Sequence, residues 1–157
     1  AQFFSPSEII MVDTDAHRLA AAKTFGATRI VTGNAVEEIM KLTNGKGVDV
    51  AIEAVGTPAT FEICQSIVAA GGHIANIGVH GKSVELHMEK LWSQNVTITT
   101  RLVDTISTAM LMKTVLSGKL KPRQLITHHF ELNEIMKAYD TFEHAAEEKA
   151  LKVILTN

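Results

Sequence analysis

A chain of 157 residues is about the length of one domain, and its 46% hydrophobic content is enough to build a packed core. Its net charge of -2 and its scattered lysines and arginines offer no basic face for nucleic acid. The single cysteine, Cys64, cannot form an internal disulfide, and no apolar run reaches the roughly 18 residues of a membrane span, so a cytoplasmic protein is expected.

Strand signals alternate with helix signals from the start, the pattern of a parallel sheet with crossover helices. The run Ile9 to Val12 reads as a strand that ends on Asp13, with only Ala1 to Pro6 and a short lead before it. That is too short for a preceding strand, glycine-rich phosphate loop and helix, so the expected sheet lacks its first strand. Ala16 to Phe25 is helical with Gly26 as its stop, and Thr28 to Val31 is a short strand. Ala35 to Leu42 is a helix with Glu37 and Glu38 in its first turn, favourable near the positive end of the helix dipole, and Asn44-Gly45 ends it. Val48 to Ala54 is a strand, Thr57 caps and Pro58 opens a helix over Ala59 to Ala69, and Gly71-Gly72 turns into a strand over His73 to Val79.

The rhythm then changes. Met88 to Gln94 is a short helix, Val96 to Arg101 a β-branched strand, and Thr105 to Ser117 an amphipathic helix closed by Gly118. Ile126 to Phe130 is a strand, Asn133 caps a helix over Glu134 to Phe142, and Lys152 to Leu155 is the last strand. A boundary is placed near residue 102, giving a dinucleotide-binding part over 1–102 and a second segment over 103–157.

Read without further context, a carboxylate closing a strand either caps the next helix or binds a ribose diol, whose two hydroxyls it can accept. Cys64 falls with Phe61, Ile67 and Val68 on a core face. His128 and His129 point to opposite faces of a strand and cannot chelate together. His80 and His87 flank a loop with no acidic or thiolate partner in prospect, so no metal ligand is expected in this chain.

Val12-Asp13 with Arg18, the Asn44-Gly45-Lys46-Gly47-Val48-Asp49 turn and strand, Glu53-Ala54-Val55-Gly56, Gly71-Gly72 and Ile77-Gly78-Val79 come in an order and spacing that resembles the coenzyme domain of medium-chain, zinc-dependent alcohol dehydrogenases. Thr97 to Asp104, then Ile126-Thr127-His128 through Leu155, resembles the segment in which that family crosses back to its catalytic domain. The resemblance implies a doubly wound, Rossmann-type α/β fold. It also implies a parent enzyme that moves hydride between a small alcohol or aldehyde and NAD, with zinc on the substrate oxygen.

By the same resemblance Asp13 holds the adenosine ribose and disfavours a 2′-phosphate, and Arg18 reaches toward that ribose. Small Ala54 and Gly56, with Val55 between them, let the backbone approach adenine and ribose. Ile77, Gly78 and Val79 border the nicotinamide with Thr100, Arg101 and Leu102, and Lys152 matches a basic position near the pyrophosphate. Zinc ligands and the phosphate loop are absent, so the chain alone is expected to be inert; the sheet also lacks its central strand, whose neighbours must close up or pair with another chain, so a homo-oligomer is expected. Two other readings remain open: a zinc-free medium-chain reductase of quinones or enoyl thioesters, and a non-catalytic assembly module.

Overall fold

The computed structural model describes residues 1–102 and 105–157; Asp104, at the end of the proposed crossover segment, lies outside the described residues. The chain divides into two compact units, one formed by Ala1–Thr32 with Asp104–Asn157 and the other by Gly33–Val103. Each is described by itself.

In the first unit, β1 (Ile10–Val12) pairs in parallel with β2 (Arg29–Val31) through α1 (Ala16–Thr24). Asp15 caps α1 by accepting from the His17 and Arg18 amides, and Leu19, 1% exposed, anchors it. Gly26, at φ +96°, follows as the stop read from the sequence. α5 (Thr108–Leu116) buries none of its residues, and Gly118 closes it at φ +73°. β6 (Ile126–Glu131) pairs in parallel with β7 (Lys152–Thr156), and α6 (Ile135–Glu143) connects them. Alternate residues of β6 are exposed, so His128 and His129 do face opposite ways.

The second unit carries a three-stranded parallel sheet in the order β3-β4-β5, made of Val48–Glu53, Val68–Asn76 and Thr97–Thr100. α2 (Ala35–Leu42) precedes it, capped by Asn34 and turned out through Asn44 and Gly45 at φ 52° and 77°. α3 (Pro58–Ile67) joins β3 to β4, with Thr57 accepting from the Thr60 amide. Its buried face is Phe61, Cys64, Gln65 and Ile67, so Cys64 is a core residue as its spacing implied. Ile74, fully buried at 0%, sits mid-strand in β4, a position worth about 2–3 kcal/mol of apolar burial. Gly71-Gly72, expected as a turn before the strand, lies inside β4 instead, where the register breaks: pairing passes from Val48↔Val68 to Val50↔His73.

The expected α/β, parallel, Rossmann-like class is the one observed. The helix cap at Asn133 is corrected, and the short helix at Met88 is found where it was expected. Asn133 does not cap the helix before β7; Glu131 and Glu134 form a capping box around a single 3₁₀ turn, Leu132–Glu134, and α6 starts after it. Met88 to Gln94 is one helical turn, α4 (Met88–Leu91), that tightens into a 3₁₀ turn at Trp92–Gln94.

Candidate functional site

Parallel pairing puts the carboxyl ends of β3, β4 and β5 at one edge of the second unit. Glu53 is in register with Asn76, and Asn76 with Thr100. The exit segments Ala54–Gly56, Ile77–Val79 and Thr100–Leu102 are therefore neighbours, and nine of the sequence-selected residues meet there. The amides of Ile77 and Gly78 both donate to the Glu53 carbonyl, at 2.8 and 3.1 Å, and Arg101 donates to the Asn76 carbonyl at 3.2 Å. A Cβ on Gly78 would overlap the Glu53 carboxylate and the Gly56 backbone. Val55, Ile77, Val79 and Leu102 are exposed there beside the polar Thr100 and Arg101, so the edge offers apolar side chains together with polar backbone groups.

Beneath the edge lies a buried carboxylate whose role sequence reasoning missed. Glu53 is 1% exposed. Its Oε1 accepts from the amides of Val55 (3.0 Å) and Gly56 (2.8 Å) and from the Thr60 hydroxyl (2.6 Å). Its Oε2 faces His80 Nε2 at 3.3 Å. Burial works to raise this carboxyl, but the Thr60 hydroxyl, the Gly56 and Val55 amides and His80 outweigh it and hold the group below the ordinary glutamate value. The signal available in the sequence was a Glu two and three residues ahead of the Val55-Gly56 amides that it ties.

His80 and His87 do have acidic company, contrary to expectation. His80 meets Glu53, while His87 places Nε2 at 2.9 Å from Glu62 and Nδ1 at 3.1 Å from Glu89. Glu53 and Glu62 lie 27 and 25 residues from their histidines and are brought in by folding, whereas Glu89 stands two residues after His87 and was visible in the local sequence. Even so, among the described residues no three His, Cys, Asp or Glu side chains converge as metal ligands. Cys64 is buried, and its thiol is pushed up to about 11 by burial and by the Glu53 charge. The residues present do not fit a zinc site.

In the first unit Asp13 follows β1. Its Oδ1 accepts from the Asp15 amide at 2.9 Å, so it shapes the turn, but the helix cap is Asp15 and not Asp13. Arg18 lies 4.0 Å from Asp13 and 3.9 Å from Asp15. Its own amide, with that of His17, keeps the Asp15 carboxyl below its ordinary value. Lys152 opens β7 and is exposed, lining with Arg123 and Ile154 a hollow of about 390 Å³. Among the described residues no helix is long and apolar enough to cross a membrane.

The fold and its strand-end residues define a Rossmann-like α/β protein. Residues 5–116 match the family model described as zinc-binding dehydrogenase, and the chain belongs to that family. An alcohol dehydrogenase of Cupriavidus necator is 33% identical over 149 residues, 90% of this chain and 41% of that enzyme. An NAD-dependent alcohol dehydrogenase of Sulfurisphaera tokodaii is 29% identical over 148 residues, 92% of this chain and 42% of that enzyme. The solved apo form of zinc-dependent alcohol dehydrogenase 2 from Streptococcus pneumonia superposes with a TM-score of 0.94 at 51% identity, over 99% of this chain and 46% of the other. The chain thus spans less than half the length of these relatives.

Proposed function

We propose that this chain is the coenzyme-binding portion of an NAD-dependent, zinc-containing alcohol dehydrogenase acting on a small alcohol or aldehyde. The observation that carries the reading is the meeting of Ala54–Gly56, Ile77–Val79 and Thr100–Leu102 at one strand edge, where ligands of open α/β sheets bind. The Ile77 carbonyl and the Val79 amide have no partner among the described residues, which supports their holding a planar carboxamide.

Bound nicotinamide supplies the hydride chemistry. The chain's own part is to hold and orient it: backbone groups at the strand ends grip the carboxamide, and Val55, Val79 and Leu102 offer apolar contact to a flat ring. Asp13 accepts from the ribose hydroxyls and repels a 2′-phosphate, Arg18 reaches toward that ribose, and Lys152 contacts the pyrophosphate. In this reading the zinc ligands are not this chain's contribution, and the 157 residues alone bind coenzyme without oxidising alcohol. Val50 and Ile52 on β3, an edge strand of its sheet, are each 51% exposed, which supports assembly into a homo-oligomer.

The test is a fluorescence titration of NADH against the protein as its gene encodes it, with Asp13→Ala as the variant. Tenfold weaker NADH binding in the variant is expected. Unchanged affinity would overturn the assignment of the ribose site.

A further inference from the structure

Gly78 is pinned on both sides. Its amide donates to the Glu53 carbonyl at 3.1 Å, and its carbonyl accepts from Asn76 Nδ2 at 3.2 Å. Neither group remains for a ligand. The adjoining Ile77 carbonyl and Val79 amide are unspent among the described residues, and the Gly78 peptide planes set their directions.

What fixes Asn76 is a histidine. Asn76 Oδ1 lies 2.8 Å from His80 Nε2, so with Nδ2 on Gly78 the amide has one consistent orientation. The same Nε2 faces Glu53 Oε2 at 3.3 Å, and that oxygen has no hydrogen-bond partner of its own among the described residues. Two acceptors on one side of the ring require the proton on Nε2. His80 Nδ1 is buried with no partner, as an acceptor atom can be at smaller cost than an N–H. The edge of one ring meets the face of the other between Phe61 and His80, at 6.0 Å and 89°, which holds the imidazole plane.

We infer that His80 is a positioning residue of the strand-end site: its Nε2–H, donated to Asn76 Oδ1 beside the Glu53 carboxylate, locks the Gly78 peptides so that the Ile77 carbonyl and Val79 amide meet a nicotinamide carboxamide. The inference rests on the coenzyme reading above. It assigns to His80 no contact with coenzyme or substrate, and its effect falls on the nicotinamide end alone.

That selectivity provides the test, made on the protein as its gene encodes it by titrating NADH and ADP-ribose, which lacks the nicotinamide. His80→Phe keeps a ring beside Phe61 and removes the N–H; it weakens NADH binding at least tenfold and ADP-ribose binding less than twofold. His80→Gln, with an amide N–H at similar reach, restores most of the NADH affinity. If His80→Phe does not fold, Asn76→Ala must give the same split. Equal loss of both ligands, or no loss, overturns the positioning role while leaving the coenzyme site standing. A wild-type protein that binds neither ligand overturns the coenzyme reading and the inference with it.

Discussion

Gly56 and Val79 approach so closely that a Cβ on Gly56 would overlap the Val79 carbonyl, and Gly56 holds φ +87°. Two strand exits therefore touch backbone to backbone. Gly56→Ala must strain the left-handed backbone and also push β3 and β4 apart at their ends, a combined cost of at least about 2 kcal/mol. Gly71 has a similar φ of +76° but open space around it, so Gly71→Ala bears the backbone strain alone, about 1 kcal/mol. Urea unfolding midpoints of the two variants should differ in that order; equal midpoints would show that the contact yields easily.

Glu53 makes stability depend on pH. Its carboxyl sits below the ordinary value of 4.5 in the folded chain, despite burial, because of Thr60, the Gly56 and Val55 amides and His80. A depressed acid contributes stability that is fully present above the unfolded value and is lost as pH falls through the folded one. Glu53→Ala should cost about 3 kcal/mol at neutral pH by stranding the Val55 and Gly56 amides. The gap between wild type and variant should narrow below pH 4.5, measured by unfolding at stepped pH. A gap that stays constant down to pH 3 would mean that the carboxylate charge contributes nothing.

The strands, the helices and the strand-end edge were legible because each is written locally. Thr57-Pro58 opens α3, Asn44-Gly45 closes α2, and alternating residues mark β6. Parallel pairing follows from crossover helices, and it alone gathers residues 54–56, 77–79 and 100–102. The network under that edge was not legible. Glu53, Asn76 and His80 sit at unremarkable positions, and their contacts depend on register between β3 and β4 and on the path of the chain after Val79. The same holds for His87, whose partner Glu62 comes from α3. The Asn133 cap failed for a different reason: the chain already turns at Leu132–Glu134, a 3₁₀ turn held by the Glu131 and Glu134 capping box, so Asn133 lies inside a turn and not ahead of the helix.

Asp13 and Asp15 stand two residues apart and do different work. Asp15 accepts the first free amides of α1, whereas Asp13 forms the turn through one oxygen and keeps the other toward Arg18. Asp15→Ala should lower the melting temperature and leave the preference for NADH over NADPH in place. Asp13→Ala should do the reverse, with a smaller change in melting and a loss of that preference. Parallel titrations and thermal melts check both; a common effect on the two readouts would merge the roles.

Cys64 is the natural reporter for the second unit. It lies on the buried face of α3, and burial with the nearby Glu53 charge pushes its thiol up to about 11. At pH 8 roughly one thiol in a thousand is ionised, and the thiolate is the reactive form. Labelling with a disulfide reagent should therefore be slow in the folded chain and complete within seconds in denaturant. The rate should rise in Glu53→Ala about tenfold for each 1.4 kcal/mol of stability lost, since opening of α3 exposes the thiol. Fast labelling of the native protein would place Cys64 outside the core and break the link between α3 packing and the strand-end site.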